Sequence, residues 1–381
     1  MCENRPVRVL HSLGSMNRGG IETWLMHVLR RIDRKRFKMD FLVRTAEPGA
    51  YDSEIESLGS KVIPCVDPRR PWQFIPNLIR KFRDNGPYDV VHCHDPHYGT
   101  AILLHMAARL GVPGRIDHSH NDARLIKNAT FCRRVAAAIT RPSVARNTVL
   151  RLAVGGYAAE GLFGSQWKSD SRVRILRCAV DLDPFSEHVD RKALREELGI
   201  PEHAFVVGHV GRFDKQKNHS FLIDIALEVS RLKPDVRFLL VGDGPLRSAM
   251  ERKVARVGLE DRAIFAGVRA DVPRLMLGAV DVFVFPSLFE GLGLAVIEAQ
   301  AAGLPCVCSD RVPAETGVVK PLFHRLSLSR SAADWARQVV ALRGAHLVAQ
   351  PEALALMEQS PFNVTASVRE IEDVYSRFAA Q

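Results

Sequence analysis

Five clusters in the 381-residue chain combine residue types and spacings suited to chemistry. In Val210-Gly211-Arg212-Phe213-Asp214-Lys215-Gln216-Lys217-Asn218, Arg212 and Lys217 follow an apolar, β-branched run. A guanidinium forks two oxygens of one anion and an ammonium adds a point charge, so the two could converge on a phosphate. A solvated basic loop has the same composition. In Pro286-Ser287-Leu288-Phe289-Glu290-Gly291-Leu292-Gly293-Leu294, continued to Glu298, two carboxylates stand eight residues apart. Glu290 falls in a glycine-bearing loop and Glu298 about two turns into the next helix. The free N–H groups of that helix start can hold a phosphate. Carboxylates beside a phosphate make sense if they accept hydrogen bonds from hydroxyls, as on a sugar or ribose. The plain alternative is one capping and one surface glutamate.

The other three clusters are weaker alone. Leu10 to Glu22 carries Gly14, Gly19 and Gly20 between an apolar run and a helical pattern. Glycines there let backbone N–H groups approach a phosphate. The spacing is neither GxGxxG nor a Walker loop, and a flexible turn explains it equally well. Val241-Gly242-Asp243-Gly244-Pro245 reads as a strand-to-helix junction with proline at the first helical position. His92-Cys93-His94-Asp95-Pro96-His97 and His118-Ser119-His120-Asn121 each place an H-x-H at a strand end, with both rings on one face. His92, His94, His118 and His120 could ligate a metal in a hydrolase. They could equally be one catalytic or sugar-binding histidine with structural neighbours.

These clusters need elements to position them. Short apolar runs such as Val7–Leu10, Asp89–His92, Phe205–Val210, Val236–Val241 and Val280–Phe285 alternate with helical patterns such as Ile21–Ile32, His219–Arg231 and Gly293–Ala302. Alternating strands and helices predict parallel sheets covered on both faces. The dozen candidate strands exceed one doubly wound sheet. We read an α/β chain of two Rossmann-like domains, residues 1–185 and 186–363, with a linker near 181–190 and a further helix in 364–381. Ligands of such sheets bind at the carboxyl ends of the strands, where the five clusters fall.

In order along nearly the whole chain, these motifs resemble retaining glycosyltransferase family 4, of the GT-B fold. Gly19-Gly20-Ile21-Glu22 is similar to the family's Gly-Gly-x-Glu loop, and Asp89-Val90-Val91-His92-Cys93-His94 to its D-V-V-H-x-H strand. Gly211-Arg212 with Lys217, Val241–Pro245 and Glu290–Glu298 resemble its G-R-x-x-x-x-K, V-G-D-G-P and E-x7-E elements. Val307–Glu315 is similar to the exopolysaccharide and capsule branch. Arg177-Cys178-Ala179 replaces the family's Asn-Gly pair and Gly155 its usual serine; neither change removes a donor-binding residue.

The resemblance implies two Rossmann-like domains facing a cleft, and a nucleotide-diphosphate sugar, first of all a UDP-sugar, held mainly by the C-terminal domain. Arg212 and Lys217 would bind the diphosphate, Glu298 the ribose, and Glu290 with the backbone at Gly293 and Leu294 the sugar. Val268 would meet the base, and Gly19 and Gly20 the phosphates. His118 would contact the sugar near the reacting carbon, with His120 as the second choice. The C-terminal helix would pack back on the N-terminal domain. Two cations and a helix start stabilise a diphosphate leaving group without a metal. No D-x-D stands at a plausible donor site, since Asp181-Leu182-Asp183 falls in the linker. We therefore expect no metal and no cofactor, and front-face displacement with retention.

Charge adds one expectation. The chain carries 53 Lys and Arg against 43 Asp and Glu. The excess lies in residues 1–185, with 29 cations against 18 anions; residues 186–381 have 24 against 25. No acidic residue occurs from 123 to 159, a stretch holding Arg124, Lys127, Arg133, Arg134, Arg141, Arg146 and Arg151 among apolar residues. It could face anionic lipid or a phosphorylated, lipid-linked acceptor, or be a solvated helix face. A non-enzymatic anion or nucleic-acid binder is the remaining alternative; aromatics at 7% make stacking platforms scarce, so no nucleic-acid partner is expected. The absence of a signal-like start, a membrane-length apolar run or any CxxC fits a cytoplasmic protein, peripheral at the membrane at most. Cys306 and Cys308 read as buried strand residues.

Overall fold

The computed structural model describes residues 5–65, 71–94, 98–120, 131–345 and 347–379. The chain divides into two compact units. One comprises the residues up to Ala179 together with those from Val364 onward, and the other runs from Val180 to Asn363. The division thus falls six residues before the break at 185 read from the sequence. Val180 belongs to the second unit because its N–H donates to the Phe362 carbonyl at 2.9 Å and it forms a bridge with Asn363.

The first unit is built on a seven-stranded sheet: β1 (Val7–Leu13), β2 (Phe37–Val43), β3 (Val62–Pro64), β4 (Val90–Cys93), β5 (Gly114–Ser119), β6 (Leu150–Ala153) and β7 (Val173–Ile175). Their order is β3-β2-β1-β4-β5-β6-β7, every pairing parallel. Both faces are covered, so the central strands bury apolar residues on both sides: Val9, Leu10, Val90, Val91 and Ile116 are all buried. The helix Val364–Ser376 closes one face. Val364, Val368, Ile371, Val374 and Tyr375 recur at helical spacing and all are buried.

The second unit carries a six-stranded parallel sheet: β8 (Phe205–Val210), β9 (Val236–Val241), β10 (Ala263–Gly267), β11 (Val282–Phe285), β12 (Cys306–Ser309) and β13 (Phe323–Leu326). The order is β10-β9-β8-β11-β12-β13. The helices His219–Leu232 and Ala332–Ala341 bury Leu222, Ile223, Val229, Trp335 and Val339 in one core with Phe205, Val207 and Phe238. Cys306 and Cys308 are free and buried in β12, as their apolar run indicated.

Strand order reverses between β1 and β4 in one sheet and between β8 and β11 in the other. Such switch points open a crevice at the carboxyl ends of the strands. The histidine pairs crowd the first, and the Arg212 and Glu290 loops leave the second.

Candidate active site

In the second unit the loop after β8 is locked to the loop after β9. The Gly211 N–H donates to Val241 O at 2.9 Å, the Phe213 N–H to Asp243 O at 2.9 Å, and the Leu246 N–H to Phe213 O at 2.9 Å. This close approach explains Gly-Asp-Gly better than turn chemistry alone. Gly244 has φ +157°, and a β-carbon there would stand 2.6 Å from the Phe213 carbonyl oxygen.

The loop so fixed presents its cations differently. Arg212 is exposed, and its guanidinium carries no hydrogen bond or ion pair to a described residue. Lys217 is half-buried. Its Nζ lies 2.7 Å from Glu290 Oε1 and 4.6 Å from the centre of the Phe285 ring. Gln216 Nε2 donates to Glu290 Oε2 at 3.2 Å and to Phe289 O at 3.1 Å. Glu290, 4% exposed, is thereby held by both oxygens.

Gly293 takes the left-handed conformation, φ +84°, and starts the helix Leu294–Ala301. Glu298 lies in its second turn, slightly nearer the start than the sequence suggested. Among the described residues no cation offsets its burial, which pushes its carboxyl up to about 7. Val268, 54% exposed, follows β10 and Gly267.

In the first unit, Gly19 and Gly20 are exposed and Gly19 caps the helix Gly20–Arg31. His11 of β1 pairs in register with His92 of β4. With His94, His118 and His120 they form a core of five imidazoles, each at most 8% exposed. Tyr375 of the C-terminal helix reaches into it: its hydroxyl lies 2.9 Å from His92 Nδ1 and 3.4 Å from His11 Nε2. Trp24 covers the other side, edge-on to His118 at 5.6 Å between ring centres, and anchors its own Nε1–H on Ser367 Oγ at 3.0 Å. Burial holds the imidazoles well below the ordinary histidine value, to about 3 at His11 and His118.

His118 is enclosed, with Nδ1 3.2 Å from His92 Nε2 and Nε2 3.2 Å from Leu176 O. His120 lies one residue past the end of β5. Its Nε2 is 2.9 Å from His94 Nδ1, and among the described residues its Nδ1 meets only the Cys178 sulfur, at 3.4 Å. Two triplets, His11–His92–His94 and His94–His118–His120, have ring nitrogens within 4.8 Å of one another, a spacing a metal ion could use. These nitrogens are instead engaged with each other. Asp95, His97 and Asn121 lie outside the described residues.

The basic stretch is only partly described, since Arg124 and Lys127 also lie outside. Arg151 is withdrawn from any surface role: it sits on β6 and pairs with Asp170 at 2.9 Å, its side chain 12% exposed. Arg141 donates to Gly161 O at 3.2 Å. Arg146 and Ile139 are exposed on the helix Phe131–Asn147.

Residues 18–184 match the family described as Glycosyltransferase Family 4, and residues 190–342 match Glycosyl transferases group 1. The EpsF protein of Bacillus subtilis (strain 168) is 36% identical over 339 residues, 87% of this chain and 86% of that protein. The chain belongs to glycosyltransferase family 4. A UDP-Gal:alpha-D-GlcNAc-diphosphoundecaprenol alpha-1,3-galactosyltransferase of Escherichia coli is 32% identical over 61% of this chain and 60% of its own length. Anabaena HepE, solved with UDP and glucose, superposes with a TM-score of 0.79 at 20% identity, covering 97% of this chain and 99% of HepE.

This family 4 glycosyltransferase therefore has the GT-B fold and is a transferase. A hydrolase built on the histidines finds no support among these relatives. Several residues that shape the two loci escaped the sequence reading. Gln216 lay inside a quoted motif but carried no charge to mark it. His11 lay in the Gly19-Gly20 cluster, and its position opposite His92 appears only once the sheet order is known. Tyr375 and Trp24 read as ordinary core residues of amphipathic helices.

Proposed function

We propose that the enzyme transfers a sugar from a nucleotide-diphosphate sugar, with retention and without a metal. The observation that carries this reading is that an exposed arginine, Arg212, and the Lys217–Glu290 ion pair come from the loops after β8 and β11, the two strands that flank the switch point of the second sheet. As the bond from the sugar carbon to the diphosphate oxygen breaks, negative charge grows on the leaving group. Arg212 and Lys217 would offset it, with help from the start of the helix Leu294–Ala301. Glu290, with Gly293 and Leu294, would hold the sugar; Glu298, short of donors, would take the ribose hydroxyls; Val268 would meet the base. Glu290 is held at both oxygens, which suits hydroxyl binding better than covalent attack and favours front-face displacement.

A UDP-sugar is the first donor to test, since HepE was solved with UDP and glucose and the Escherichia coli relative is named for UDP-Gal. That relative's name includes a diphosphoundecaprenol acceptor, which supports a lipid-linked acceptor and a role in exopolysaccharide or glycoconjugate assembly. No described helix is long and apolar enough to cross a membrane. Contact with an anionic bilayer would fall to Arg146, Ile139 and neighbours on their helix.

In the first unit we assign the sugar-facing role to His120 in place of His118. Both nitrogens of His118 are committed inside the first unit, one to a backbone carbonyl, whereas among the described residues His120 Nδ1 has only a weak thiol donor. Thermal-shift measurements with UDP-, GDP- and ADP-sugars test the donor. A rise in Tm with UDP-sugars, lost in Arg212→Ala and Lys217→Ala, is expected. Equal shifts in wild type and both variants would refute the assignment.

A further inference from the structure

The hydrogen bonds of the histidine core run in one direction only. A carbonyl oxygen accepts and never donates, so the 3.2 Å contact to Leu176 O puts a proton on His118 Nε2. A neutral imidazole has one N–H, so His118 Nδ1 must accept, and His92 Nε2 donates to it at 3.2 Å. His92 Nδ1 then accepts from the Tyr375 hydroxyl at 2.9 Å. With its proton spent, that oxygen accepts from His11 Nε2 at 3.4 Å. His11 Nδ1 accepts from His94 Nε2 at 2.9 Å, and His94 Nδ1 from His120 Nε2 at 2.9 Å. Only Nδ1 of His120 remains, and the Cys178 thiol donates to it at 3.4 Å. Burial supports each step, since it keeps the rings neutral and pushes the Cys178 thiol and Tyr375 phenol up, so both stay protonated. One carbonyl thus fixes every proton along five rings, a phenol and a thiol.

We propose that this chain is a tautomer lock. It holds His120 as the neutral Nε2–H form with an accepting Nδ1, so the substrate group that His120 takes is a hydroxyl donating to it. His94, His11, Tyr375, His92 and His118 are positioning residues: they act through one another on His120. The Cys178 thiol is a weak donor that keeps the acceptor occupied until a hydroxyl replaces it. The inference rests on the reading that His120 is the sugar-facing histidine.

Long-range proton–nitrogen NMR on the full chain with 15N-labelled histidine tests the lock directly. At pH 7.5 the wild type should show all five rings neutral and protonated at Nε2. Observing His120 protonated at Nδ1, or charged, overturns the proposal without recourse to any variant. Tyr375→Phe removes the one group that both accepts from His11 and donates to His92. It should leave His118 tied to Leu176 O and release His120 into a mixture of tautomers. A His120 still wholly Nε2–H in folded Tyr375→Phe would also overturn the lock. In turnover of UDP-glucose or UDP-galactose, whichever raises Tm, Tyr375→Phe should lower kcat in proportion to the lost Nε2–H fraction. If His120→Ala leaves that turnover unchanged, the sugar-facing reading fails, and with it the functional half of the proposal, while the NMR result still decides the lock itself.

Discussion

The ammonium of Lys217 lies 2.7 Å from the carboxylate of Glu290, which is 4% exposed. The cation proposed for the diphosphate is thus neutralised by the carboxylate proposed for the sugar. On that assignment a diphosphate arriving at Lys217 would compete with Glu290 and loosen one of its oxygens, leaving it free to accept from a sugar hydroxyl, so that donor phosphates and donor sugar would be coupled through this one pair.

Removing either cation should therefore slow transfer strongly. A preorganised donor to a developing oxyanion is worth roughly 3–4 kcal/mol in the barrier, or about a hundred- to a thousandfold in rate. Steady-state kinetics of Arg212→Ala and Lys217→Ala check this. Lys217→Ala should also lower Tm more than Arg212→Ala, because it leaves Glu290 buried without its cation.

The binding of UDP should depend on Glu298. Burial raises its folded value to about 7, against 4.5 ordinarily, so the protonated form is favoured and folding stability falls as pH rises between those values. Hydroxyl donors favour the ionised form. UDP should bind more tightly as pH rises through 7, with proton release measurable by calorimetry in buffers of different ionisation enthalpy. Glu298→Gln should raise Tm at pH 8, weaken UDP binding and abolish the proton release.

Acid should attack the first unit. Its five core histidines are held neutral well below 6.5, so their contribution to stability is complete above that value and is lost as pH falls toward 3. Each withheld proton costs about 1.4 kcal/mol per pH unit in that window. Urea unfolding followed at Trp24 should show the midpoint falling steeply from pH 6.5 to 5. A flat midpoint would contradict the buried, neutral core.

Gly244→Ala should impair both folding and donor binding. Its β-carbon would meet the Phe213 carbonyl oxygen at 2.6 Å with φ at +157°, so the loop carrying Arg212 must shift. A loss of roughly 1–3 kcal/mol in denaturant midpoints is expected, with weaker UDP binding.

Most of the fold was legible because chemistry and periodicity coincide in a doubly wound sheet. Val210 and Phe285 end apolar strands, and the residues after them, Gly211-Arg212 and Pro286 to Glu290, fall where ligands bind. Arg212 and Lys217 stand out by charge and suggest convergence on one anion, but Glu290, 73 residues on, already holds Lys217, a pairing that no local pattern announces. The histidine core was half legible. H-x-H spacing put His92 with His94 and His118 with His120 on common faces, while His11 meets His92 through sheet order and Tyr375, 364 positions from His11, reaches both from the helix Val364–Ser376. Arg151 looked like a surface cation because its partner, Asp170, lies 19 residues on. The division between units falls at Val180, ahead of 186, because the Val180 to Phe362 bond joins distant stretches that no local pattern links.

Because Tyr375 belongs to the first unit, that unit is not finished when its sheet is. A ribosome delivers β1 to β7 and then all of Val180–Asn363 before the helix Val364–Ser376 emerges. Until then the face of β1 lacks its cover and the imidazoles lack the hydroxyl that joins their two halves. The second unit can complete its own core during synthesis, since its sequence is continuous. Of the two units, the one begun earlier is thus the later to close, and a chain cut short after Asn363 would leave the five imidazoles without the Tyr375 hydroxyl that joins them.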